Sequence, residues 1–107
     1  MVDQKNIEVL HLTDLLEIQK GAVVSRTLVN QKTGTITLFA FDQNEGLSEH
    51  TAPFDASVHL IEGELEVTIA GTSYKLYADD LIIMPANQPH ALQAITPVKL
   101  LLVMIRS

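Results

Sequence analysis

Ser57-Val58-His59-Leu60-Ile61-Glu62-Gly63-Glu64-Leu65-Glu66-Val67-Thr68-Ile69-Ala70-Gly71-Thr72 is the stretch on which the fold turns. Leu65, Val67 and Ile69 alternate with Glu64, Glu66 and Thr68, the period of a strand with one dry face and one wet face. Gly63 and Ala70-Gly71 are turn signals at its two ends. The stretch therefore reads as strands over residues 58–62 and 64–69, leading through a tight turn into a third over 72–76. Outward from it the same reading gives strands over 22–29, 35–41, 81–84, 90–95 and 98–105. Between them lie residues 31–34, a long polar loop from Asp42 to Ser48, residues 78–80, residues 85–89 and Thr96-Pro97. Short apolar runs punctuated this regularly are the pattern of an all-β sandwich or barrel. Only residues 10–20 suit a helix, with Thr13 as the expected N-cap.

The chain of 107 residues has the size of one domain. We read residues 1–107 as a single unit, an N-terminal segment over 1–21 followed by a barrel over 22–107. Apolar residues make up 47% and charged residues 19%, a globular balance, and no apolar run is long enough to span a bilayer. No basic-then-apolar leader opens the chain, so a cytoplasmic location is expected, with no membrane partner. The net charge is −6 and the seven basic residues are scattered, which leaves no stripe to neutralise phosphates and excludes nucleic acid as an expected partner. There is no cysteine, so a bound metal would have to use nitrogen and oxygen ligands. A strand with apolar Val58 and Leu60 on the face opposite His59 looks covered on both sides, and a homodimer is expected on that ground.

Period-two counting sorts three of the four histidines onto one side of the sheets. Glu49 and Thr51 share a face, which leaves His50 and Ala52 inward. Glu62 marks an outer face, so Ser57, His59 and Ile61 are assigned inward. Gln93 marks another, so His90, Leu92 and Ala94 are assigned inward. Neutral imidazoles with an oxygen ligand suit Fe, Mn, Ni, Cu or Zn. His50, His59 and His90, joined by Asp55, would hold such a divalent ion and leave two octahedral positions open. The competing reading has the same histidines tied to backbone carbonyls and water, lining a pocket without metal.

Two segments then resemble a known family. Gly46-Leu47-Ser48-Glu49-His50-Thr51-Ala52-Pro53-Phe54-Asp55-Ala56-Ser57-Val58-His59-Leu60-Ile61-Glu62-Gly63 resembles the first motif of the cupin superfamily, and Asp79-Asp80-Leu81-Ile82-Ile83-Met84-Pro85-Ala86-Asn87-Gln88-Pro89-His90 the second. The resemblance, strongest to small single-domain prokaryotic cupins, implies a double-stranded β-helix, the RmlC-like jelly-roll barrel. His50 matches the family's first metal ligand and His90 its last. Ala52 stands where the second histidine is expected, and Ser57 or Ala56 where the glutamate would be, with His59 as a substitute ligand. Asp79 and Asn87 replace glycines of the second motif, and both residue types tolerate positive φ. The expected function is a small cytoplasmic protein that binds a divalent transition metal through pocket histidines and acts on or senses a small molecule. As an enzyme it would be a metal-dependent dioxygenase or isomerase. The alternative is a metal-free small-molecule-binding or dimerisation module with a degenerate motif.

Overall fold

Leu65 and Val67 are fully buried while Glu66 between them is not, so the alternation that opened the sequence reading is the alternation of the folded strand. The computed structural model describes residues 7–106. A four-residue helix, α1 (Leu12–Leu15), precedes nine strands: β1 (Val23–Gln31), β2 (Gly34–Phe41), β3 (Gly46–His50), β4 (Asp55–Glu62), β5 (Leu65–Ile69), β6 (Thr72–Leu76), β7 (Leu81–Met84), β8 (His90–Ala94) and β9 (Val98–Ile105). They form two antiparallel sheets, a five-stranded one in the order β1-β2-β9-β4-β7 and a four-stranded one in the order β3-β8-β5-β6. This is the all-β jelly roll that the motifs implied.

The two inner faces make one core. Phe41, Val58, Leu60, Val98 and Leu100 from the larger sheet meet Leu65, Val67, Leu92 and Ala94 from the smaller one, all of them buried. Removing such side chains from water is the main favourable contribution to folding, at about 25 cal/mol per Å² of apolar surface. The tight turn between β5 and β6 has Ala70 at φ 49° and Gly71 at φ 84°, both left-handed, as a two-residue hairpin loop requires. Asp79 at φ 72° and Asn87 at φ 65° adopt the glycine-like conformation expected of them.

Three expectations need correction. The polar loop over 42–48 is in part a strand, because Gly46 and Leu47 pair with Gln93 and Leu92 of β8. The helix is shorter than the expected span and begins after His11, with no side-chain cap; Thr13 lies inside it. A run this short gains too few backbone hydrogen bonds to extend without a buried face. The carbonyl of Thr13, within this helix, accepts a hydrogen bond from Lys99 Nζ of β9.

The third correction is the face of β4. Ala56, Val58 and Leu60 point into the core, with the latter two fully buried, while Ser57 and His59 point outward. The physical reason is a register shift. Leu60 pairs with Leu100 and Glu62 with Lys99, so β4 carries one extra residue at Ile61. A bulge of this kind reverses the phase of the alternation. Counting back by twos from Glu62, which is exposed and 3.4 Å from Lys99 Nζ, gives the wrong face for everything before it.

Candidate functional site

The site begins with a second bulge. On β3, Leu47 pairs with Leu92 and His50 with His90, three residues along one strand against two along the other. Leu47 and His50 have opposite parity, so in a regular strand they would face opposite ways; the extra residue at Ser48-Glu49 lets both face the interior. Period-two counting reaches the right face for His50 because Thr51, one of its two reference residues, lies beyond the bulge. His90 and Leu92 are buried on β8, as expected.

His50 and His90 thus sit directly opposite each other on neighbouring strands. Their Nε2 atoms are 3.1 Å apart and their ring centroids 4.3 Å apart, with the rings inclined at 68°. Each ring is held from behind by a main-chain carbonyl two residues earlier: His50 Nδ1 is 2.8 Å from the Ser48 oxygen and His90 Nδ1 3.0 Å from the Gln88 oxygen. A carbonyl oxygen can only accept, so both Nδ1 atoms carry hydrogen and both Nε2 atoms are aimed into the pocket.

That pocket is a cavity of about 270 Å³ between the two sheets at one end of the barrel. Besides the two histidines it is lined by Leu47, Ala52, Phe54, Ala56, Met84, Leu92, Leu102 and Met104, so among the described residues its only polar side-chain nitrogen or oxygen atoms come from the imidazoles. Met104, Ala56 and Met84 lie in one register row across β9, β4 and β7, and the small side chain of Ala56 between the two methionines opens the floor. The turn after β7 is held close: Asn87 N donates to the Ala52 carbonyl at 2.8 Å and Ala86 N to Asp55 Oδ1 at 2.8 Å.

The four expected metal ligands are therefore not brought together. His59 is half-exposed on the outer face, with Nε2 3.7 Å from Asp79 Oδ1. Asp55 is exposed and secures the loop after β7. Among the described residues no group of three or more histidine, cysteine, aspartate or glutamate side chains converges. A divalent ion would find two imidazoles and no carboxylate, short of the three protein ligands that metal centres of this kind use. Of the two positions left open for the family's glutamate, Ala56 lines the pocket and Ser57 does not. Sequence reasoning missed Phe54, Met84 and Met104 as pocket residues; Met104 and Met84 are signalled only through their shared row with Ala56, which pairing reveals and sequence spacing does not.

An antiparallel two-sheet barrel with motif-derived histidines facing its mouth is the architecture of a small cupin. The chain belongs to the Cupin domain family, whose model matches residues 37–105. No curated protein matches it. Among solved structures it is similar to a conserved protein of unknown function from Streptococcus pyogenes, at 36% identity and a TM-score of 0.90, covering 94% of this chain and 88% of that one. It is also similar to a cupin superfamily protein from Desulfitobacterium hafniense, at 26% identity and a TM-score of 0.89, covering 94% and 92%. A Cupin 2 conserved barrel domain protein from Leptotrichia buccalis matches at 31% identity and a TM-score of 0.88, over 91% of this chain and 47% of that one.

Proposed function

We propose that this cupin domain is a binding module that holds one small molecule in the apolar pocket, anchored on His50 and His90, without a resident metal and without chemistry on the ligand. The observation that carries the reading is the pair of inward-facing Nε2 atoms 3.1 Å apart, on a wall that is otherwise hydrocarbon and thioether. Concave, mostly apolar cavities with a few convergent polar atoms are how small-molecule sites are built, and this one lies near the lower end of their usual size range of about 300–1,000 Å³. Magnitudes make the anchor matter. Burying about 150 Å² of ligand hydrocarbon contributes at most about 4 kcal/mol, which corresponds to about millimolar affinity. Useful affinity then depends on what the two imidazoles bind.

The test follows the imidazole NMR resonances of His50 and His90 while fragment-sized aromatic and aliphatic compounds, neutral, anionic and cationic, are added. The expected result is that one or more of these classes moves both sets of resonances in a saturable way, and that Ala56→Trp, which fills the floor, abolishes the shifts. A folded protein whose His50 and His90 resonances respond to none of them is not a binding module at this pocket.

We also propose that the domain is a homodimer, through the outer face of the larger sheet. Leu81 and Ile83 on the edge strand β7 are 59% and 60% exposed, and Ile105 on β9 is 65% exposed. Ile83, Ser57, Val103 and Ile36 form one cross-strand row on that face. An apolar patch beside an unpaired edge is a usual place for self-association. Sedimentation velocity at micromolar concentration is expected to give the mass of two chains, and Ile83→Lys the mass of one. A wild-type protein that sediments as a monomer refutes the dimer.

A further inference from the structure

Four strands form the edges of the two sheets: β1 and β7 of the larger one, β3 and β6 of the smaller. An unpaired edge offers a row of N–H and C=O groups to any other chain, and charges, bulges and prolines along it discourage such pairing. Three of the four edges are guarded in this way. β1 carries Arg26 and a register shift between Thr27 and Val29, β3 carries Glu49 and the bulge before His50, and β6 carries Lys75. β7 is not guarded. It is Leu81-Ile82-Ile83-Met84, four apolar residues whose register with β4 is unbroken, and Leu81 and Ile83 on its outer face are 59% and 60% exposed.

The chain also holds a segment that matches this edge. Ile7 and Val9, at 75% and 83%, are the most exposed large apolar side chains among the described residues. They flank Glu8 in a stretch, residues 7–10, that is neither helix nor strand, and among the described residues no main-chain hydrogen bond reaches it. β-Branched residues two apart suit a strand with one apolar side. Within a single chain that side has no partner.

We propose that residues 7–10 of one protomer add to β7 of a second copy as a further strand, with Ile7 and Val9 beside the partner's Leu81 and the partner's Ile83. This rests on the homodimer reading and names the segment that makes the contact. Main-chain bonds along the edge supply the pairing, and the two apolar pairs on one face select the partner. A two-fold axis repeats the exchange, so each chain gives an arm and receives one. The tether of the arm favours the second copy over its own chain. The Thr13 carbonyl is bonded to Lys99 of β9, and β9 lies two strands in from β7. The four residues from Thr13 back to Val9 extend at most about 14 Å, and the three strand spacings from β9 to the free side of β7 also come to about 14 Å. An arm turning to its own β7 would spend its length in crossing the sheet instead of running along the edge.

The chain has no cysteine, so single introduced ones report on the contact. Val9→Cys protein mixed with Ile83→Cys protein is expected to give, on mild oxidation, a disulfide between the two different chains, identified by peptide mass spectrometry. Val9→Cys mixed with Ser25→Cys, an exposed position on the guarded edge β1, is expected to give none above the level of random collision. The double variant Ile7→Lys/Val9→Lys changes only side chains that already face solvent; it is expected to keep the circular dichroism of the parent and to sediment as one chain where the wild type sediments as two. A dimer that survives this variant, or equal disulfide yields from the two mixtures, overturns the arm and leaves the outer-face dimer standing. A wild-type monomer overturns both.

Discussion

The double variant A52H/A56E is expected to bind about one Mn, Fe, Ni or Zn ion per chain in elemental analysis of the untagged protein, in a pocket where the parent chain binds less than about a tenth of that. Position 52 lies two residues after His50, and both Ala52 and Ala56 line the same cavity as His50 and His90. A histidine and a glutamate at those positions would add a nitrogen and an oxygen donor to the two Nε2 atoms already in place, completing the family's motif. The separation of 3.1 Å suits two nitrogens bound side by side to one ion, since with metal–nitrogen bonds of about 2.1 Å it corresponds to an angle of about 95°. The carbonyl bonds to Nδ1 already orient both rings as an outer shell around a metal would.

The same variant should lose stability when metal is withheld, because a glutamate at position 56 would sit among Met84, Met104 and the core, where Ala56 is only 5% exposed. A buried polar group without partners costs about 1–3 kcal/mol on mutational scales. Metal at about a thousand times its Kd would return about 4 kcal/mol. Thermal denaturation with and without Ni²⁺ reads both effects. A folded double variant that carries no metal would show that more than two alanines separates this pocket from a metal centre.

Gly46→Val is expected to destabilise the domain by about 2–4 kcal/mol and to weaken ligand binding at His50 in whatever fraction remains folded. A Cβ at Gly46 would stand 1.9 Å from the Leu92 carbonyl oxygen, 2.8 Å from its carbon and 2.9 Å from Gln93 Cα. Every one of these atoms is main chain, so no rotamer change relieves the clash and the strands must part. Gly46 and Leu47 are the pairs that fix β3 on β8 ahead of the bulge, and His50 meets His90 only in that register. Urea denaturation measures the first effect and the His50 imidazole resonance the second. A midpoint shift equivalent to less than about 0.5 kcal/mol would mean that β3 has another stable seat.

Much of the fold was legible because the sequence is regular wherever the strands are. Leu65 and Val67 against Glu66, and His90, Leu92 and Ala94 against Gln93, have one wet and one dry face, and the structure keeps both assignments. The two motif histidines that share the pocket were legible for the same reason. The errors fall where the count of two breaks. Counting from Glu62 across the bulge at Ile61 puts His59 inward, and the first three residues of the strand at Gly46–His50 read as loop because a glycine, a bulge and polar residues mask it. The contribution of Asp55 was out of reach as well, since its oxygen serves Ala86, 31 residues away. A carboxylate near histidines looks the same on paper whether it binds a metal or a loop.

The bulge between Leu47 and His50 also has a bearing on how relatives of this chain should be compared. Removing one residue there would bring Leu47 and His50 to the two-residue spacing of Leu92 and His90, so the strand would become regular and the His50 imidazole would keep its place opposite His90. The chemistry of the pocket is written in which residue of this strand pairs with His90 and not in the number of residues that precede it. Two chains with identical motif letters and a one-residue gap at this place would present the same pair of imidazoles, and an alignment that penalises the gap would separate them.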